Sequence, residues 1–319
     1  MGTIRIFCMS RATSLVTHMA GSEGNEAVIA RRDVSCNGVV RRIPYVSGNS
    51  MRSCCVRQPG MRWLIDRYGL AGKLTLPELN FLLHGGALTE STGREDVARI
   101  VEMHATWPLL KALGGCLPDQ IIKGRMLGCD AHLVCEENRN TLAALLPDGF
   151  ELPDTPLLPA ETYVRPYQYV TFDAADREPE LLPPKIGDSE AKPRGSDDVR
   201  MMYTGQAVSA GAIFIHDFLI QWAKPEDAGA VLWSLNLWQS AGGVVGGMGA
   251  KGHGRLATSV HITGTGATVQ QLIDAYLAVA DEMKDRALAW LAKAFATKEQ
   301  KPKGRKAKVK EPVIPGTEE

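Results

Sequence analysis

Eight arginines lie between positions 31 and 67: Arg31, Arg32, Arg41, Arg42, Arg52, Arg57, Arg62 and Arg67. The window holds no lysine, and its acids are Asp33 and Asp66, which leaves a local charge of +6. The whole 319-residue chain balances 36 Lys and Arg against 36 Asp and Glu, so the window departs from a neutral background. A guanidinium is a planar fork that suits bidentate contact with phosphate. A localised positive stretch in a neutral chain therefore predicts a polyanion site. A solvated helix face is the alternative, although such faces normally intersperse acids. A second positive run, KEQKPKGRKAKVKEP, is poor in apolar residues and predicts a disordered basic tail over 297–319, either solubilising or loosely attractive to nucleic acid.

The second chemical feature is glycine. Seven glycines lie between Gly242 and Gly254, with Lys251, His253 and Arg255 among or beside them. Such a loop lets backbone approach a ligand and aim N–H groups at phosphate. Gly247, Gly249 and Gly252 match a GxGxxG spacing, but the dinucleotide fold places that motif between strand and helix, whereas here it follows a helix and precedes a strand. The phosphate-binding loop of nucleotide hydrolases fails too, because Lys251 follows Ala250 and precedes Gly252. Neither a nucleotide nor any other cofactor is expected. Lys251 and His253 suit a nucleic-acid backbone instead, and a tight loop packed without ligand is the alternative. Cys129, His132 and Cys135 hint at zinc, but no second close pair completes four ligands. On a strand, His132 would face away from both cysteines. Buried thiols are the better reading, and no catalytic motif emerges.

These residues need elements to hold them. TIRIFCMS alternates and predicts a strand. Residues 22–40 read as a long loop or irregular hairpin. Ser47, Asn49 or Ser50 caps a helix that Pro59 and Gly60 should break. Two helices are expected around 76–84 and 95–103, and a turn and strand around 119–137. TYVRPYQYVTF reads as one arm of a hairpin, and VRMMYTGQAVSAGAIFIHDFLI as one or two strands kinked at Gly205 and Gly211. A helix should start near Pro225, a strand should cover RLATSVHIT, and one long amphipathic helix should follow from Thr268. Strand, helix, glycine loop and strand form half of a ferredoxin-like layout. Hydrophobic residues make up 45 % of the chain, enough for a core. With no long apolar run and no export signature, the seven cysteines read as reduced cytoplasmic thiols, with no membrane partner.

Four segments, in order, resemble one family. They are His18 to Gly21, Ile43 to Arg52 (IPYVSGNSMR), Ser209 to Phe214, and Gly246 to Arg255 (GGMGAKGHGR). Together they are similar to the RAMP superfamily, the backbone subunits of class 1 CRISPR effector complexes, and closest to the type IV kind. The resemblance implies an α+β fold, a modified ferredoxin-like (RNA-recognition-motif-like) palm with an inserted helical finger lobe and a thumb hairpin. The implied division is palm over 1–70, finger-like insertion over 71–120, palm strand and connection over 121–160, thumb-like hairpin and loop over 161–203, and the rest of the palm over 204–296. The implied partners are CRISPR RNA, target DNA or RNA paired to it, other copies of the chain, and other effector subunits with a helicase among them. The implied RNA-binding residues are Asn25, Arg31, Arg32, Arg41, Arg42, Ser47, Asn49, Ser50, Arg52, Gly247, Gly249, Lys251 and His253. RNA-cleaving relatives carry an aspartate where this chain has Glu26, and Asp33 matches a non-catalytic one. A non-cleaving scaffold is therefore expected. The alternatives are metal-dependent RNA cleavage by Glu26 or Asp33, and a self-assembling packing protein that ignores nucleic acid.

Overall fold

The computed structural model describes residues 2–23, 26–89, 96–152, 156–170 and 202–296. Asn25, the loop after residue 170 and the basic tail lie outside the described residues. Five strands precede the first helix: β1 (Gly2–Ala12), β2 (Met19–Glu23), β3 (Glu26–Ile29), β4 (Arg31–Cys36) and β5 (Val39–Val46). Four short ones follow a helical lobe: β6 (Gly114–Cys116), β7 (Ile121–Lys123), β8 (Met126–Gly128) and β9 (Ala131–Leu133). The last are β10 (Val164–Val170), β11 (Met202–Val208), β12 (Ile213–Ala223) and β13 (Leu256–Thr263).

Alternation in β1 sets the layers. Ile4, Ile6 and Cys8 face the main core, and Phe7 faces a second one. The main sheet runs β13-β1-β12-β9-β5-β4, with β8 also on β12. β1 is antiparallel to both β12 and β13, and β12 is antiparallel to β9. Two helical stretches, residues 48–67 and Pro225–Ser240, connect these strands and pack on each other. Strand, helix, two strands, helix, strand, with the last strand beside the first, is the ferredoxin-like arrangement. Its other face is closed. Leu142, Leu145, Leu146, Phe150, Leu152 and Leu157 cover Phe7, Ile213 and Ile215, with Phe7 and Phe150 rings edge-on at 4.9 Å. That face is the one on which RNA-recognition sheets stack bases, and here it is covered.

Several sequence expectations change. The stretch over residues 22–40, expected as a long loop or irregular hairpin, is mostly strand, β2 to β5, and the hairpin alternative holds for β4–β5. Asn37 and Gly38 have φ of 51° and 78°, the left-handed pair a two-residue hairpin turn requires, and Cys36 pairs directly with Val39. The first helix does not break at Pro59. A π-helical segment, Arg52–Arg57, joins Gly48–Met51 to the α-helix Gln58–Arg67, so the wider turn lies directly before Pro59, whose missing N–H and ring would otherwise interrupt an α-helical ladder. Gly60 has a packing reason: a Cβ there would meet Ser234 Oγ at 2.2 Å and Leu109 Cδ2 at 2.5 Å. The single strand expected near Cys129 is three, β7 to β9. The long C-terminal helix is two, Val269–Glu282 and Lys284–Phe295, and the second packs on helix Val97–Thr106, where Trp290 Nε1 donates to the Arg99 carbonyl at 2.9 Å. The helices near residues 76 and 95 are present as Leu76–His84 and Val97–Thr106, joined by Pro108–Leu113. Among the described residues no helix is long and apolar enough to cross a membrane.

Candidate nucleic-acid interface

The hairpin β4–β5 carries four of the arginines. Its register pairs Arg31 with Pro44, Arg32 with Ile43, Asp33 with Arg42 and Val34 with Arg41. Opposed residues share a face, so Arg31 and Arg42 stand on one side and Arg32 and Arg41 on the other. Arg31 is committed to Glu161, with Gln206 Oε1 at 3.4 Å. Arg32 reaches Asp130 at 3.5 Å and donates to His132 Nδ1. Arg41 and Arg42 are exposed, and the contact of Arg42 with Asp33 is long, at 4.0 Å. They line a cleft of about 770 Å³ with Asn37, Arg139, Asn140 and Glu136. Arg139, exposed at the start of helix Arg139–Leu145, is a cation that sequence reasoning missed, because it lies 72 residues beyond the end of the window at Arg67.

Ser47 caps the arginine helix as expected, its Oγ accepting the Ser50 N–H at 3.3 Å. The rest of this terminus is occupied from within the chain. Gly48 N–H donates to Asp130 Oδ1 at 2.7 Å, and Ser47 N–H donates to His18 Nε2 at 3.2 Å. Burial pushes the His18 pKa down against the raising effect of Asp130, which keeps the ring a neutral acceptor. Asn49 is exposed. Arg52 departs from the expected phosphate-facing placement. It turns into the protein and donates to the Leu113 carbonyl, and burial lowers its pKa. Arg57 goes further inside, donating to Phe81 and Leu82 carbonyls at 3.2 Å and to the Gly114 carbonyl at 2.6 Å. The +6 window is therefore not one patch: part is surface, part is internal scaffolding.

The glycine loop is clamped to residues 15–18. Gly247 N–H donates to the Thr17 carbonyl at 2.7 Å, Thr17 Oγ1 donates back to the Gly247 carbonyl at 2.7 Å, and Gly254 N–H donates to the Leu15 carbonyl at 2.6 Å. Gly246 has φ 74°, and a Cβ there would sit 2.2 Å from the Thr17 oxygen, so only glycine fits. Gly249 to Lys251 form a single 3-10 turn, with Lys251 exposed. Thr17 holds the glycine loop while its neighbour His18 holds Ser47. Thus Gly247, Gly249, Lys251 and His253 come to the same region as Ser47, Asn49 and Ser50 although two hundred residues separate them.

Beyond the loop, the tip meets aromatic rings. Lys251 Nζ lies 2.8 Å from the centre of the Tyr169 ring, and His253 stands edge-on to Tyr167 at 5.3 Å. These tyrosines were also missed, although their period-2 spacing on the TYVRPYQYVTF arm placed them on one strand face.

The Cys129–Cys135 stretch is structural. Cys129 Sγ accepts the Asp217 N–H at 3.1 Å, and burial raises the pKa of both thiols to about 12. His132, pushed down to about 4 by burial and then by Arg32, is the acceptor for Arg32. Glu26 Oε1 accepts from Gln206 at 3.2 Å, on a different sheet from Asp33. Among the described residues no three His, Cys, Asp or Glu side chains form a group that could hold a metal.

No protein-family model matches this chain, and no curated protein does. A solved structure does: the fold is similar to a chain of the Type IV-B CRISPR Complex, with a TM-score of 0.52 at 15 % identity over 83 % of this chain and 92 % of that one. At that identity the likeness speaks for the fold.

Proposed function

We propose that this chain is an RNA-binding scaffold subunit of a CRISPR effector complex, which holds guide RNA by its backbone and leaves bases free to pair with target. The observation that carries the reading is the junction at Thr17 and His18, which fixes the glycine loop and the Ser47 helix start side by side. Two remote segments of the four-part sequence resemblance thereby share one surface. The fold likeness to a chain of the Type IV-B CRISPR Complex supports the same reading. In it, Arg41, Arg42 and Arg139 bind phosphate along the hairpin cleft, with Arg31 and Arg32 shaping the hairpin. Ser47, Asn49 and Ser50 flank the strand at the helix start, and Gly247, Gly249, Lys251 and His253 approach from the loop. Arg52 serves as an anchor for the helix and not as a direct contact. Asn25 belongs to the proposed set from sequence alone. Sequence is read by pairing, the logic of RNA-guided recognition, and no step needs a catalytic group from this chain.

The test is co-expression with a CRISPR array and its neighbouring genes, purification in moderate salt, and sequencing of any bound RNA. A uniform guide-length RNA is expected. A protein-like absorbance ratio, or a smear of host RNA, would overturn the reading.

A further inference from the structure

β13 ends the main sheet opposite the arginine hairpin, and its outer edge is open. Its antiparallel register on β1 continues one step to Thr13, whose N–H donates to the Arg255 carbonyl at 2.8 Å. Ala257, Ser259, His261 and Thr263 therefore turn their backbone groups towards β1, while Leu256, Thr258, Val260 and Ile262 turn theirs outward. Leu256 and Thr258 are met from within the chain. Gln239 Oε1 accepts the Thr258 N–H at 2.9 Å, and Gln239 Nε2 donates to the Leu256 carbonyl at 2.9 Å. One side-chain amide thus supplies what one residue of a neighbouring strand would. Past it, the N–H and C=O groups of Val260 and Ile262 have no partner among the described residues.

Folded proteins blunt such edges with charge, proline or shortness. β4 carries Arg31, Arg32 and Asp33, β10 carries Arg165 and Pro166, and β2 is five residues long and ends in Glu23. β13, LATSVHIT, runs for eight residues with no proline and no Asp, Glu, Lys or Arg. Beside its open half lies a cleft of about 370 Å³ between helices Pro225–Ser240 and Val269–Glu282. Leu232, Leu235, Trp238 and Ile273 floor it. Asn236, Gln239 and Gln270 stand at its rim, and no charged residue lines it. Polyanions are held by cations, so the chemistry of this cleft is not that of the hairpin cleft.

We infer that the edge of β13 and this cleft form a docking site for an extended, uncharged segment of another protein, which joins the main sheet as a further strand. Strand addition satisfies the N–H and C=O groups of Val260 and Ile262, and every second side chain of the added segment enters the cleft. Those side chains are apolar, because the floor is. They are neutral, because the rim offers amides and no counter-charge. The cleft takes side chains and not a helix, which is about 10 Å across. Pairing with β13 of a second copy would satisfy the same backbone groups, but it would bring the two flanking helices of that copy to the rim, where a lone segment brings side chains alone. None of these observations depends on RNA.

The test uses the full chain, alone and in the complex purified after co-expression with its neighbouring genes. Hydrogen exchange reads the outward amides, and a photocrosslinking benzoylphenylalanine in place of the exposed Gln270 reads the neighbour. In the chain alone, the Val260 and Ile262 amides should exchange fast beside slow ones at Ser259 and His261. In the complex all four should be slow. The crosslink should fall on an uncharged stretch of a different subunit with apolar residues at every second place. The Val260→Pro/Ile262→Pro variant removes both outward donors, and an edge strand tolerates proline where its N–H faces solvent. A net hydrogen bond is worth about fivefold in affinity, so a synthetic peptide of the crosslinked stretch should bind this variant roughly 25-fold more weakly. Val269→Glu, at an exposed position on the cleft, sets an unpaired charge against the segment and should weaken the same peptide even if the proline variant unfolds. Val260 and Ile262 amides that stay fast in the complex would overturn the inference. So would the absence of any second protein, a crosslink to RNA, or a crosslink to β13 of a second copy.

Discussion

The hairpin β4–β5 and the helical stretch at residues 48–67 draw on one arginine-rich window and use it in opposite ways. On the hairpin, Arg41 and Arg42 extend from a two-stranded ribbon into an open cleft. On the helix, Arg57 is 5 % exposed and bridges three backbone carbonyls of the helical lobe, while Arg52 reaches a fourth. Two of those carbonyls, at Phe81 and Leu82, belong to the last turn of helix Leu76–His84; Phe81 also accepts the capping Gly85 N–H at 3.1 Å, and Leu82 is among the terminal carbonyls a helix does not satisfy within itself. A cation is favoured there by the helix dipole as well. The difference teaches that a charge count finds guanidiniums but not their acceptors. A residue is free for a ligand only if folding brings no carbonyl or carboxylate to it first.

The comparison breaks most sharply at Arg57. Replacing it with methionine removes the guanidinium from three buried carbonyls, of which Phe81 keeps the Gly85 N–H at 3.1 Å, and should cost about 3 kcal/mol of stability. Urea unfolding checks this. RNA affinity of the protein that remains folded should be unchanged, because the side chain does not reach the surface. A variant of wild-type stability would mean that the lobe is held by its apolar contacts alone.

That inner role was not legible in sequence, and the reason is geometric. Arg57 and its acceptors are 24 to 57 residues apart, so no local pattern links them. What local chemistry controls was legible: the Ser47 cap, the alternation of β1, the helix beginning at Pro225. The Asn37-Gly38 turn was equally local, yet the stretch read only as a long loop or irregular hairpin, because the flanking strands are too polar to alternate cleanly. The glycine loop was visible as a loop, but its clamp on Thr17 and the rings beneath Lys251 depend on tertiary placement.

On the hairpin side, charge reversal at Arg41 and Arg42 should lower RNA affinity by about 100-fold at 0.1 M salt and leave thermal unfolding unmoved, since exposed substitutions usually fall within about 0.5 kcal/mol. The neutral triple variant Arg41→Gln/Arg42→Gln/Arg139→Gln gives a sharper reading. Each phosphate contact on single-stranded nucleic acid contributes about 0.7 to the slope of log affinity against log salt. Loss of three should flatten that slope by about 2. An unchanged slope would remove the cleft from the interface.

The interior carries a pH dependence that the hairpin should lack. His216 is fully buried, and neither ring nitrogen has a partner among the described residues. Burial pushes its pKa down to about 4, outweighing the raising effect of Asp217. The unfolded chain takes up that proton near pH 6.5. The unfolded state therefore binds more protons between those values, and stability present above pH 6.5 is lost as the pH falls towards 4. His104 and His132, also near 4, act in the same direction. Thermal unfolding followed from pH 7 to pH 4.5 should show a fall that His216→Leu reduces. A flat profile would mean that the ring is protonated in the fold.

The smallest effect tests the boundary between the two uses of arginine. Asp33 faces Arg42 across the hairpin at 4.0 Å, and both side chains are 72 % exposed. An ion pair that open is worth at most about 1 kcal/mol, and often nothing measurable. Asp33→Asn should therefore leave stability alone. If Arg42 is free for phosphate, removing the neighbouring carboxylate lifts a local repulsion, and RNA should bind a few-fold more tightly at low salt, with the gain vanishing as salt screens it. If the pair instead orders the hairpin, the same change should weaken binding and lower the unfolding temperature together. The sign of one small number then says whether Arg42 belongs with Arg41 at the surface or with Arg57 in the scaffold.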